Sequence, residues 1–274
     1  MTPPAIAKQQ LILYSHIENN DAKTLCKKLH SEQVKKMLED FKNIFLTTTR
    51  IALMAVFAAL HAILSLLPYT ITIGVSGSIT LGVVSAPLIG IILGPISGGI
   101  SVLMGSIIAM FLNPSGAIFG PLSFLPATVG ALSAGFVIKK RGYISAAILT
   151  AGIAAFYANP NGLDAAAYPF MHIIAAIVAL IFSTPLAVWS KDMTNTTKLS
   201  IGVTVAAFVG TLTDHIVGSS LAMWTFGLDA SIWNSIIFVY PVERIVAVII
   251  VVAIAVPVYY SLRKSGTLNM FKPI

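Results

Sequence analysis

Residues 51–138 read IALMAVFAALHAILSLLPYTITIGVSGSITLGVVSAPLIGIILGPISGGISVLMGSIIAMFLNPSGAIFGPLSFLPATVGALSAGFVI, 88 positions without one Asp, Glu, Lys or Arg. A soluble core cannot hide so long an uncharged stretch. At about 20 residues per bilayer crossing, it holds four spans. The remainder of the 274 residues is of the same kind: 57% of the chain is apolar and 10% charged. A typical soluble domain is about 45–50% apolar and about 25% charged. A soluble enzyme is therefore excluded before any motif is weighed.

Working outward, eight spans are expected at about 51–67, 79–93, 96–112, 120–138, 142–158, 168–189, 200–222 and 234–262, with ends good to about 2–4 residues. The breaks have local causes. Pro68 and the Gly74–Gly77 region end the first span. Gly94-Pro95 predicts a tight turn with proline at the first position of the next helix. Asn113-Pro114, Gly120-Pro121 and Asn159-Pro160-Asn161-Gly162 are further turn signals. Pro241 and Pro257 predict that the last span is kinked or extends beyond the bilayer. Residues 1–49 form a polar preface in which Val34, Met37, Leu38, Phe41, Ile44 and Phe45 recur at helical spacing behind Ser31, a candidate N-cap. That segment reads equally as an amphipathic helix on the inner leaflet or as a helix packed on a partner or on its own bundle. It lacks the apolar core and cleavage site of a signal peptide, so the first span is expected to act as the targeting signal.

Charge placement supports this layout. Counted from a cytoplasmic N-terminus, the inside segments 1–50, 94–95, 139–141, 190–199 and 263–274 carry eight, zero, three, two and three Lys or Arg. The outside loops around 69–78, 113–119, 159–167 and 223–233 carry none. This is the positive-inside pattern, and with an even number of spans both termini are expected in the cytoplasm. The net charge of +7 thus reflects orientation and inner-surface contact, with no nucleic-acid partner implied. Tyr69, Tyr157, Tyr168, Trp224 and Trp233 fall at expected outer ends, Tyr143 and Trp189 at inner ones, as an interfacial belt does. Gly90, Gly94 and Gly98, continued by Gly105 and Ala109, predict close approach of helix backbones. Cys26 is the sole cysteine, so no intramolecular disulfide can form.

Ionisable groups inside a bilayer are costly and are functional candidates by default. The spans hold few: His61, His172, Asp214, His215, Glu243 and Arg244. At about 1.5 Å per residue, Asp214 lies about 21 Å above the inner end of its span, and Glu243 and Arg244 about 27 Å above Leu262. All three can reach the outer half. Asp214 and Arg244 either face one pocket or form an ion pair tying two helices. Around the same level stand Trp224, Trp233, Asn234 and Tyr240, aromatic and polar groups of the kind a small amphipathic ligand needs. Each aromatic taken alone reads as belt. His61 and His172 read as interhelical hydrogen-bonders. No histidine, cysteine or acidic spacing implies a metal, and no cofactor is expected. There is no phosphate-binding loop of the Walker type, so any energy for transport comes from another subunit or an ion. Gly74-Val75-Ser76-Gly77 with His215-Ile216-Val217-Gly218 could mimic the Ser–His dyad of rhomboid-type intramembrane proteases. However, Ser76 falls in a loop after the first span, and a four-residue match in a Gly-rich chain is cheap.

The first four spans carry a family resemblance. Arg50-Ile-Ala-Leu-Met-Ala55-Val-Phe-Ala58-Ala59-Leu-His-Ala62 is followed by a polar, Gly-rich loop at 70–78. A hairpin then turns at Gly94-Pro95-Ile96-Ser97-Gly98-Gly99, and Gly120-Pro121-Leu122-Ser123-Phe124-Leu125-Pro126 opens the fourth span. In this order the chain resembles the substrate-binding S components of energy-coupling factor (ECF) vitamin transporters. The resemblance implies an all-α, polytopic membrane bundle whose six-helix core binds a vitamin-like small molecule near the outer face, covered by the loop at 70–78. Ala55, Ala58, Ala59 and Ala62 would dock on a transmembrane coupling subunit driven by cytoplasmic ATPases. Ser76, Asp214, Trp224, Trp233, Asn234, Tyr240, Glu243 and Arg244 would serve the ligand. Eight spans exceed the usual six, and the added hairpin is most simply 142–189. The expected organisation is a cytoplasmic extension at 1–49, a transmembrane domain at 50–262 and a cytoplasmic tail at 263–274. The alternatives are a non-transport membrane scaffold and, more remotely, the Ser76/His215 protease.

Overall fold

The computed structural model describes residues 35, 48–67, 81–183 and 196–264. Ser76, the covering loop at 70–78, the preface helix with Ser31, the inner segment around Trp189 and the tail lie outside the described residues. Two units are distinguished. Met1–Ile51 with Pro273–Ile274 forms one, of which Lys35 and Thr48–Ile51 are described and helical. Ala52–Lys272 forms the other and contains everything discussed below.

Besides the helical Lys35 and two 3-10 turns at Pro114–Gly116 and Gly120–Leu122, ten α-helices, with no strand among the described residues, follow in chain order. They are α1 Thr48–Leu66, α2 Gly82–Leu93, α3 Pro95–Leu112, α4 Leu125–Ile138 and α5 Gly142–Tyr157. Then come α6 Pro160–Asp164, α7 Phe170–Ser183, α8 Thr196–Phe226, α9 Ala230–Ser235 and α10 Val239–Lys264. Each of the eight expected spans coincides with one of the longer helices. Four stretches are long and apolar enough to cross a membrane unaided: Pro95–Leu112, Gly120–Ile138, Thr197–Phe226 and Val239–Ser261. The others are shorter. The twelve residues of α2 rise about 18 Å at about 1.5 Å each, against a hydrocarbon thickness of about 30 Å. Every residue of α2 except Val83 is buried, as a helix apolar on all sides requires. It is sheltered by α3, α4, α8 and α10 rather than by lipid.

Small residues set these contacts. A β-carbon placed on Gly90 would lie 2.1 Å from the Ala131 carbonyl oxygen, so α2 and α4 touch through backbone. One on Gly98 would lie 2.8 Å from Gly90 Cα, and one on Gly135 would lie 2.4 Å from Pro95 N. The glycine repeat is thus the seam joining α2, α3 and α4. Gly94 makes the turn between α2 and α3 at φ +81°, a region closed to most side chains. On α8, Gly210 approaches Gly130 and Ala134 of α4 in the same way.

Two expectations shift in detail. Asn159 does terminate a turn, but its side chain accepts a hydrogen bond from Asn161 N at 3.1 Å and caps the one-turn helix α6. Pro241 does not kink the last span. It falls in the first turn of α10, where its missing N–H has no intrahelical partner to lose. Pro257 is the interior proline. Large apolar side chains cover the outside of α1, α3, α7 and α10, Phe111 among them at 81% exposure. No soluble surface tolerates such a coat. The chain is a multi-pass membrane protein, and these groups meet acyl chains.

Candidate functional site

Helix α8 presents Asp214, His215, Gly218, Ser219 and Ala222 on one face, and α10 presents Val239, Tyr240, Glu243 and Arg244. These are the i, i+1, i+4, i+5 positions that share a helix face. The two faces, with Trp233 of α9, Ile236 just after it and the chain around Phe119 and Pro126, line a cavity of about 750 Å3. His61 of α1 and Ser106 of α3 complete its lining. Cavities of about 300–1,000 Å3 hold drug-sized or cofactor-sized molecules.

Asp214, Ser219 and Arg244 on this wall are buried, and His215 and Glu243 are partly so. Arg244 is 8% exposed, and its Nε has no hydrogen-bond partner among the described residues. Asp214 is 7% exposed and senses the Arg244 charge. Arg244 lines the cavity with Asp214 and Glu243, so the wall carries one cationic and two acidic side chains. Gly130 on α4 makes room for Asp214: a β-carbon there would lie 2.8 Å from Asp214 Cβ.

Behind the wall lies an aromatic and histidine cluster. Tyr240 stacks on His215, ring centroids 4.8 Å apart, and on His172 at 5.4 Å. Its hydroxyl donates to the Tyr168 carbonyl at 2.8 Å. Tyr168 stacks on Phe156 at 5.2 Å and meets Trp233 edge-on at 4.9 Å. A hydrogen-bonded chain runs from His172 Nε2 to His215 Nδ1 at 3.0 Å, from His215 Nε2 to the Tyr168 hydroxyl at 3.4 Å, and from that hydroxyl to Ser219 Oγ at 2.9 Å. The chain ties α7 to α8 and opens on the cavity at His215 and Ser219.

Of the residues singled out from sequence, Asp214, Trp233, Tyr240, Glu243 and Arg244 come together on the cavity. Trp224 and Asn234 do not line it. Trp224 is 57% exposed and donates from Nε1 to the Ala155 carbonyl at 2.9 Å, pinning α8 to α5. Asn234 is exposed on α9. Of the four alanines, Ala55 and Ala59 face outward while Ala58 and Ala62 are buried. His61 and His172 are interhelical hydrogen-bonders, as expected. Tyr168 and Ser219 are not among the sequence-derived site residues, and His215 is among them only as an intramembrane ionisable group and as the histidine of the remote protease alternative. The available signal was their spacing: Tyr168/His172 and His215/Ser219 each stand four apart, on one helix face. Among the described residues no three His, Cys, Asp or Glu side chains converge as a metal site would require.

Residues 45–160 match the family model of the ECF-type riboflavin transporter S component. The chain is similar to an S component. This match bears out the resemblance carried by the first spans, and S components are transporter parts rather than enzymes. The matched stretch covers α1 to α5, so it includes α5, the first of the two helices assigned to an added hairpin. It stops short of α8 and α10, which carry Asp214, Tyr240 and Arg244. The uncharacterized protein MJ0923 of Methanocaldococcus jannaschii is 32% identical over 155 residues, 56% of this chain and 51% of its own. The chain thus spans about half the length of that relative. No solved structure matches the chain.

Proposed function

We propose that the protein is the substrate-capture subunit of an ECF-type importer. A vitamin-like small molecule occupies the cavity between α8 and α10, and the exposed Ala55–Ala59 face of α1 docks on a membrane-embedded coupling subunit worked by cytoplasmic ATPases. The ligand is a flat heteroaromatic compound. Tyr240 and Trp233 give it an aromatic wall, Arg244 gives a donor, and Asp214 and Glu243 give acceptors. The family description names riboflavin, and a flavin ring system has this mixture of flat face and polar edge.

The observation that carries the reading is the convergence of Arg244, Asp214, Glu243, Trp233 and Tyr240 on the lining of one cavity large enough for such a molecule. Native mass spectrometry of gently purified protein tests it. The expected result is a co-purified small molecule bound one to one, displaced by added riboflavin and absent from the Arg244→Ala variant. Protein that carries no ligand and leaves riboflavin fluorescence unquenched would count against this function.

A further inference from the structure

His61 does not belong to the ligand-reading wall, although it lines the same cavity. It is 1% exposed, and both ring nitrogens are used. Nδ1 lies 2.7 Å from Ser85 Oγ on α2, and Nε2 lies 3.0 Å from Ser106 Oγ on α3. The Ser85 hydroxyl is also within hydrogen-bond reach of the Gly82 carbonyl at 3.2 Å. Whichever ring nitrogen carries the proton, one donates to or accepts from Ser85 and the other does so with Ser106, so both are engaged. The two hydrogen bonds join α3 through α1 to α2. No donor or acceptor on the ring remains for a ligand.

The same spot is where α1 comes closest to the bundle. A β-carbon on Gly105 would lie 2.4 Å from the Ala58 carbonyl oxygen and 3.0 Å from His61 Cβ. Met54, Ala58, His61 and Ala62 form the buried stripe of α1, and Ala55 and Ala59 stand exposed on the flank of that stripe. Among the described residues, α1 is the longer helix least packed against the others. In an apolar surround, packing at a small residue and interhelical hydrogen bonds hold such a helix, and burial from water adds little.

We propose that His61 is the positioning residue of α1. By bridging Ser85 and Ser106 beside Gly105, it fixes the rotation at which Ala55 and Ala59 face outward toward a coupling subunit. The proposal rests on the docking role given to that face above. With the bridge removed, α1 turns or lifts while the wall formed by α8 and α10 stays in place.

The test uses the full chain in lipid nanodiscs, and the same chain co-expressed with the coupling subunit and its ATPases. The variants are His61→Phe, Gly105→Ala, which displaces α1 without removing a polar side chain, and the pair Ala55→Leu/Ala59→Leu. Hydrogen exchange over residues 52–66 should rise about tenfold in His61→Phe and in Gly105→Ala, with α4 and α8 unchanged. Co-purification with the coupling subunit should fall about tenfold in both. Unchanged exchange in α1, or an equal rise in α4 and α8, makes His61 a mere core residue and overturns the proposal. It is also overturned if α1 loosens yet co-purification holds, while the Ala55/Ala59 pair abolishes it. If the Ala55/Ala59 pair itself leaves co-purification intact, the docking reading has failed and the proposal falls with it.

Discussion

Gly130 on α4 and Asp214 on α8 are in direct contact: a β-carbon at Gly130 would lie 2.8 Å from Asp214 Cβ and 2.9 Å from the Gly210 carbonyl oxygen. The place of the buried carboxylate is therefore set from the neighbouring helix. Gly130→Ala has no flexible side chain to push aside, so α4 and α8 must separate by some tenths of an ångström. Overpacking of this kind costs about 1–3 kcal/mol. Ligand affinity is expected to fall about tenfold for each 1.4 kcal/mol of that cost expressed in the wall. Parallel measurements of thermal unfolding and of the ligand Kd check both effects, and wild-type values in both would show that Gly130 does not set the wall.

Arg244 and Asp214 distinguish a binding wall from a structural tie. Truncating a buried, hydrogen-bonded charge costs about 2–5 kcal/mol of affinity, so Arg244→Ala should weaken ligand binding at least about thirtyfold. The exchanged pair Asp214→Arg/Arg244→Asp restores opposite charges but inverts the pattern offered to a ligand. Uptake by the exchanged variant should stay at background. Recovery to near wild-type uptake would mean that the two charges only hold helices together, as in a scaffold.

The alanine face divides into two classes of residue with opposite expected behaviour. Ala58 and Ala62 are buried, Ala58 against Gly105, so leucine at either position overpacks and lowers stability by about 1–3 kcal/mol. Ala55 and Ala59 are exposed, so leucine there should shift the unfolding temperature little while abolishing uptake. Ligand binding by the Ala55→Leu/Ala59→Leu variant should stay within about threefold of wild type, under 1 kcal/mol. Comparing melting curves, ligand binding and uptake across the four positions checks the division.

Much of this was legible in sequence because a membrane makes the pattern strict. Apolar runs broken by Gly-Pro and Asn-Pro located the eight longer helices, and scarcity of charge inside them pointed to Asp214, Glu243 and Arg244. The glycine repeat at 90, 94 and 98 announced the close seam of α2, α3 and α4. Periodicity says less about which way a residue faces when all sides of a helix are apolar. Trp224 and Trp233 looked alike as belt residues, yet one is exposed and the other is 4% exposed inside the aromatic cluster. Tyr168, at an expected membrane boundary, was read as belt for the same reason. Its burial depends on Phe156, Trp233 and Tyr240 arriving from three other helices, which no local signal encodes. The Ala55-x-x-x-Ala59 and Ala58-x-x-x-Ala62 registers are equally good as motifs. Only the position of Gly105 decides which of them is spent inside the bundle.

That difference between the two tryptophans gives a spectroscopic prediction. Trp233 lines the cavity, packs against Phe156 at 5.2 Å and directs Nε1 to the Leu228 carbonyl at 3.4 Å. A flat aromatic ligand in the cavity would lie within contact of its ring, where stacking or edge contact contributes about 0.5–1.5 kcal/mol. Trp224 faces outward and is held by Ala155. Ligand addition should therefore quench tryptophan emission in the wild type and in Trp224→Phe, but much less in Trp233→Phe. Affinity in Trp233→Phe should fall only about three- to tenfold, because phenylalanine keeps part of the aromatic wall. Titration of the three proteins with riboflavin, followed at tryptophan emission, checks this. Quenching that survives in Trp233→Phe and disappears in Trp224→Phe would place the ligand on the outer surface near α5 rather than in the cavity.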